Sequence, residues 1–230
     1  DASAQGTTNS DNTALGYKAA YGMSTGVYNT AIGAFALDAA SGTGAYNTAL
    51  GRNALSSSTA GTSCTAVGHS ALQNMTVATS NVAVGKEALF TNVAGDQSTA
   101  VGTATLYYQN TSDSSNADFN NVAVGYFAGF KNTTGTDNTF IGSEAGRTVT
   151  TASHTIAIGS DALNGADVTG LYNIGIGTNV LQDTTSGANN VNIGYESGKE
   201  NITGSNNVAV GKDALKSNTD GCRNVAVGFQ

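Results

Sequence analysis

The sequence predicts an all-β fold, a parallel β-solenoid (β-roll) of about thirteen 17-residue coils with two short strands in each coil. Three observations lead to this prediction. A five-residue motif ending in Gly recurs through the chain, its apolar residues alternate with the period of a strand, and in nine of thirteen repeats a second Gly stands seven residues before the next motif Gly. A unit this short cannot bury a core alone, so the coils must stack.

The motif copies divide the chain at regular intervals. Neighbouring motif glycines are seventeen or eighteen positions apart, except between Gly102 and Gly125, where the interval is longer by six. We therefore interpret residues 1–230 as a single repeat array. The thirteen motif glycines are Gly16, Gly33, Gly51, Gly68, Gly85, Gly102, Gly125, Gly142, Gly159, Gly177, Gly194, Gly211 and Gly228.

Each position of the unit has a predicted role. Asn leads the motif in ten of thirteen copies, and we expect a ladder of stacked Asn side chains that caps the corner backbone. The two glycines mark tight corners. The aliphatic residue at the fourth position and the Leu at the ninth are expected to fill the interior. Representative ladder and corner residues are Asn29, Gly33, Asn81, Gly85, Asn121, Gly125, Asn207 and Gly211.

The third motif position is Ala in ten of thirteen copies. On an outward strand face, a column of Ala would let another backbone approach closely, so we expect a seam between chains. The alternative is that both faces of the strand are buried within one coil. A thin coil favours oligomerisation as the source of the missing burial, and the hypothesis is a homotrimer.

The repeats also resemble known fibre proteins. Asn207-Val-Ala-Val-Gly211 and Asn29-Thr-Ala-Ile-Gly33 are similar to the repeats in the heads of trimeric autotransporter adhesins, and the stretch 203–215 resembles repeat arrays of phage tail fibres. The resemblance covers essentially the whole chain and implies a left-handed, trimeric β-roll. The 17-residue period is longer than the adhesin unit, so the likeness leaves corner geometry and handedness open.

What the resemblance implies for function is a structural segment of a phage tail fibre, on the virion, that contributes to host attachment. Its partners would be further copies of itself and a host cell-surface glycan or protein. The alternative is the head of a bacterial surface adhesin, extracellular or at the cell surface. Ice binding is a more remote alternative. It is disfavoured because the regular Thr forms one column, gives way to Val or Ile in later units and is expected to share a strand face with the core aliphatics.

The sequence offers little support for catalysis, for metal or nucleic-acid binding, or for a membrane span. No convergent set of polar residues predicts catalysis, so we expect neither an enzyme nor a cofactor. His69 and His154 have no paired Cys or His, so we expect no metal site. With 16 acidic against 9 basic residues, nucleic acid is not an expected partner, and no apolar run approaches the length of a membrane span.

The long interval between Gly102 and Gly125 predicts a loop. Six extra residues enter within 107–119, and insertions in solenoids often form the binding face. The alternatives are a neutral insertion or a packing plug. Aromatic residues after the motif Gly could likewise stack on sugars or pack at a trimer groove: Tyr17, Phe35, Tyr126, Phe127, Tyr195 and Phe229. The candidate receptor-contact residues of the loop are Tyr107, Tyr108, Asn110, Asp113, Asn116 and Phe119.

The two cysteines are not expected to pair. Cys64 and Cys222 lie nine coils apart, about 43 Å at the spacing of stacked strands. Cys64 takes the place of a ladder Asn and is predicted to be a buried free thiol. Cys222 lies at a corner, where it could meet its copies in a trimer only if that corner faces the axis.

Overall fold

A computed structural model describes residues 11–39, 42–110 and 117–229. Within these residues the protein has fifteen short β-strands and no helix. The chain divides into two compact units, residues 1–120 and 121–230, and each is a stack of coils with parallel strands. The predicted all-β parallel solenoid is confirmed, and its sheet strands recur with the period of the sequence motif.

The first unit carries eight strands. Six of them are the motif residues at positions two to four, and they pair in parallel with Thr13 beside Thr30 and Thr30 beside Thr48. The remaining two form a separate parallel pair. The strands are β1 (Thr13–Leu15), β2 (Thr30–Ile32), β3 (Thr48–Leu50), β4 (Thr65–Val67), β5 (Val82–Val84), β6 (Gly95–Asp96), β7 (Thr99–Val101) and β8 (Ala117–Asp118).

The second unit carries seven strands in one parallel sheet. Each strand again consists of motif positions two to four, and the same motif positions lie side by side, as at Val191 and Val208. The strands are β9 (Val122–Val124), β10 (Thr139–Ile141), β11 (Ile156–Ile158), β12 (Ile174–Ile176), β13 (Val191–Ile193), β14 (Val208–Val210) and β15 (Val225–Val227).

The second apolar stretch of each coil is not a strand, which differs from the prediction of two strands per coil. After Gly51, for example, Asn53 and Leu55 have left-handed backbones with φ of 58° and 53°. The stretch nevertheless bonds to both neighbouring coils, since Asn53 N–H donates to Ala34 O at 3.0 Å and Leu55 N–H donates to Ala71 O at 3.1 Å. Sequence periodicity shows which residues share a face, but it does not separate an extended backbone from one that alternates in hand.

The orientation of the motif strand is the reverse of the prediction. Ala123, at the third position, is 0% exposed, while Val124 beside it is 37% exposed. The same holds along both units, so the Ala column lines the interior and the fourth-position aliphatics lie outside. The ninth-position Leu is buried as expected, for example Leu72 and Leu89. A thin coil has room for Ala opposite Leu, whereas Val or Ile in its place would overpack it.

The Asn ladder runs along one interior corner. Asn29 N–H donates to Asn12 Oδ1 at 2.8 Å, and its own Nδ2 donates to Gly44 O at 2.9 Å, so each side chain bonds to backbone in the next coil. The same bonds from Nδ2 to the second-corner Gly and from the next coil's N–H to Oδ1 recur at Asn81, Asn121 and Asn207. Buried backbone groups at the corner are thereby satisfied.

The motif glycines form the other corner. Gly33 has φ of 130°, and a Cβ placed on it would lie 2.7 Å from the carbonyl carbon of Gly51 in the next coil. The same conformation is found at Gly85, Gly125 and Gly211. No other residue combines this backbone with such a close approach, so the period of the motif follows from the period of the corner.

Candidate functional site

The described candidates of the predicted receptor-contact loop have different surroundings, and Phe119 is the clearest case. The pairing of Gly95 with Ala117 shows that five extra residues precede Ala117, because Ala117 follows Gly102 by five positions more than Gly95 follows Gly85. Phe119 is the sixth extra residue. Its side chain is 1% exposed and its ring lies where a side chain on Gly95 would be. The assignment of Phe119 to a receptor-contact surface is therefore wrong, because this residue packs inside the coil.

The other described candidates are Tyr107, Tyr108 and Asn110. Tyr107 stacks on Phe90 with centroids 5.0 Å apart and planes at 13°, and Tyr108 meets Tyr107 edge-on at 4.8 Å. Burial, with a smaller contribution from Glu87, raises the pKa of Tyr107. The side chain of Asn110 accepts a bond from Val93 N–H at 3.3 Å, a structural role. Asp113 and Asn116 lie outside the described residues.

The outward face of the motif strands is an exposed apolar surface that the repeat creates. In the second unit, thirteen of the fourteen residues at motif positions two and four are Val or Ile, and all of them are at least partly exposed. In the first unit the second position is Thr, except at Val82, and the fourth is aliphatic. The reason given against ice binding, that the Thr column shares its face with core aliphatics, is wrong because that face lies outside.

Aromatic residues after the motif Gly gather in three groups. Tyr17 meets Phe35 edge-on at 5.3 Å, and Phe127 meets both Tyr126 and Phe130 edge-on. Cations lie over these rings. Lys18 lies near Tyr17, Tyr21 and Phe35, Arg147 over Phe127, and Lys212 over Tyr195 and Phe229. The sequence signal for such groups is a separation of one repeat, as between Lys18 and Phe35, which places residues in adjacent coils.

A charge network lies on the same side of the second unit. Glu196 pairs with Lys216 of the next coil and with Lys199 at 3.1 Å. These two hydrogen bonds lower the pKa of Glu196 to about 2. Asp213 pairs with Lys212 and Lys216, and its pKa is lowered mainly by the hydrogen bond from Lys212. The network joins neighbouring coils, so we interpret it as a structural feature that stabilises the stack.

Both cysteines are free. The Cys64 thiol is 0% exposed, and burial raises its pKa to about 11, in keeping with the predicted buried thiol. Cys222 is exposed at its corner, where its Sγ accepts a bond from Ser205 N–H at 3.3 Å.

Within the described ranges, no three His, Cys, Asp or Glu side chains come together as a metal site would require. In the same ranges, no helix has the length and apolar character needed to cross a bilayer. Protein-family models, curated proteins and solved structures were each compared with the chain, and none matches it.

Proposed function

We propose that the chain is a structural segment of a phage tail fibre, which acts as a homotrimer and contributes to attachment at the host surface. The observation that carries the proposal is the exposed aliphatic face of β9 to β15. Monomeric proteins rarely expose a large continuous apolar patch, and such patches mark surfaces where proteins interact.

The shape of this face suits a lateral contact between copies. Seven parallel strands give a stripe about 29 Å long, from six steps of about 4.8 Å. It presents two columns of β-branched side chains in regular rows, whose rotamers are stiff and cost little entropy to order. Identical stripes can interdigitate around a common axis because each copy offers the same repeat. The sequence predicts a seam between chains at the Ala column, but that column is buried. We place the proposed seam instead at the residues on either side of it, motif positions two and four.

The bonding of the coils supports a structural role. Within each unit, neighbouring coils are joined by strand pairing, by the Asn ladder and by bonds between the turn segments. The stability of such a stack grows with the number of neighbouring interfaces, which suits an elongated structural element. Attachment would then depend on side chains that project from the coils and not on the backbone frame.

Light scattering on the intact chain tests the assembly. We expect a mass three times that of one chain, and Ile193→Lys should reduce it to one because a charge cannot be buried unpaired in the apolar stripe. Ser217→Lys, an exposed site in the same unit, is the matched control and should leave the trimer intact. A folded monomer of the unaltered chain would refute the trimer.

Attachment is tested separately with a glycan array and with whole bacterial cells. We expect the unaltered protein to bind a restricted set of surface glycans or strains. Removing residues 111–116 restores the seventeen-residue interval between Gly102 and Gly125 and tests the contribution of the insertion. Equal binding by the shortened protein would exclude the insertion from the receptor contact.

Ice binding is a second candidate function, favoured by the outward Thr column of the first unit. Thr13, Thr30, Thr48 and Thr65 repeat at the spacing of adjacent strands on a partly exposed face. We expect inhibition of ice recrystallisation if this function holds, with loss on Thr48→Lys. Growth of ice unaffected by the unaltered protein would exclude it.

A further inference from the structure

One lysine of the first unit lies among three aromatic rings. Lys18 Nζ is 5.7 Å from the centroid of Tyr17, 5.6 Å from that of Tyr21 and 5.9 Å from that of Phe35. Tyr17 is 57% exposed and Tyr21 is 42% exposed, so both rings keep much of their surface in solvent. We call these four residues the Lys18 patch.

The charge of Lys18 has no carboxylate partner among the described residues. Asp38 feels the charge of Lys18, but burial dominates and raises its pKa, and the two groups form no ion pair. Lys212 offers the contrast. It also lies over two rings, Tyr195 and Phe229, yet its ammonium group is paired with Asp213.

We propose that the Lys18 patch binds the carboxylated sugar of an acidic saccharide. An ammonium group without a counter-ion offers a charge-assisted hydrogen bond to a carboxylate. The exposed aromatic rings beside it offer apolar surface for the C–H face of a pyranose ring. The chain has a net charge of −7, which repels anions overall. An unpaired positive charge such as that of Lys18 therefore supplies the local attraction that an anionic ligand needs.

The proposal deepens the proposed attachment function by naming the ligand class and the residues. It rests on that function, but its test is independent of the trimer and of the insertion. A trimer that binds cells while ignoring acidic sugars would overturn this inference alone.

The test uses the intact chain and two matched pairs of probes. The acidic probes are oligogalacturonate and sialyllactose, and their neutral counterparts are methyl-esterified oligogalacturonate and lactose. We expect at least one acidic probe to bind about tenfold or more tightly than its neutral counterpart, with binding weakened by added salt.

Variants assign the binding to the patch. Lys18→Gln should weaken binding of the acidic probe about tenfold or more, and Tyr21→Leu should weaken both members of the bound pair by removing the stacking ring. Lys212→Gln is the control and should have no effect. Circular dichroism verifies that each variant is folded.

Four results would overturn the proposal. The first three are failure of both acidic probes to bind, equal binding of acidic and neutral probes, and unchanged binding by folded Lys18→Gln. Equal losses in Lys18→Gln and Lys212→Gln would also overturn it, because general charge and not the patch would then attract the probe.

Discussion

The ring of Phe140 fills the space that Gly146 leaves by having no side chain. Phe140 takes the place of the usual interior Ala, and Gly146 takes the place of the usual interior Leu. A Cβ on Gly146 would overlap the ring, and Phe140 is 0% exposed. The volume missing at one interior position is therefore supplied from the other, and the coil keeps a constant cross-section.

This exchange predicts strong coupling between the two sites. Phe140→Ala should lower the free energy of unfolding by roughly 3–5 kcal/mol through a cavity, and Gly146→Leu should destabilise by overlap with the ring. The double variant restores the common Ala and Leu and should be more stable than either single one. Denaturant titration measures all three, and additive losses would contradict the exchange.

The Asn ladder predicts a buried hydrogen-bond penalty. Asn81 is 0% exposed, donates to Gly95 O at 2.7 Å and accepts from Ser98 N–H at 2.9 Å. Asn81→Ala should cost about 1–3 kcal/mol for each buried group left without a partner. Asn224→Ala is the control, because within the described residues the side chain of Asn224 bonds only back to Asn207 Oδ1, at 3.0 Å. Equal losses in the two variants would show that the ladder adds nothing.

The Glu196 network predicts loss of stability in acid. Because hydrogen bonds from Lys216 and Lys199 lower the pKa of Glu196 from 4.5 to about 2, the stabilisation is complete above about pH 4.5 and is lost as pH falls toward 2. Glu196→Gln should flatten this part of the curve of unfolding free energy against pH. The control is Glu200→Gln, whose carboxylate forms no ion pair within the described chain. An unchanged slope in Glu196→Gln would exclude the network as its cause.

The two cysteines should differ in reactivity. With its pKa raised to about 11 by burial, Cys64 stays protonated and shielded near pH 8, whereas Cys222 is exposed. A thiol reagent should therefore modify one thiol per native chain and two after denaturation. Cys222→Ser should abolish the native reaction. Modification of both thiols in the folded protein would contradict the burial of Cys64.

The sequence by itself determined the repeat, the corners and the ladder. Gly33 must be Gly because its φ and its closeness to Gly51 exclude a side chain, and Asn29 must reach backbone groups of the next coil. Both requirements concern backbone geometry that recurs once in every coil, so they appear directly as a pattern of residue types. The ninth-position Leu belongs to the same group, since it is the largest apolar side chain of its stretch.

Only the tertiary structure decided which side of the motif strand is the inside. Alternation with period 2 separates Ala83 from Val84 without saying which faces the core, since both are apolar. The choice depends on what lies across the coil. At Gly175, a third-position residue, an added Cβ would already lie 3.0 Å from Cδ1 of Leu163, a ninth-position leucine, so opposite such a Leu the small residue turns inward and the Val turns out. Phe119 is the converse case, since Gly95 has no side chain and the large ring fits inside the coil beside it. The volume of the interior is divided among residues that are not neighbours in sequence. The alternation along one strand therefore does not predict which of its faces is buried.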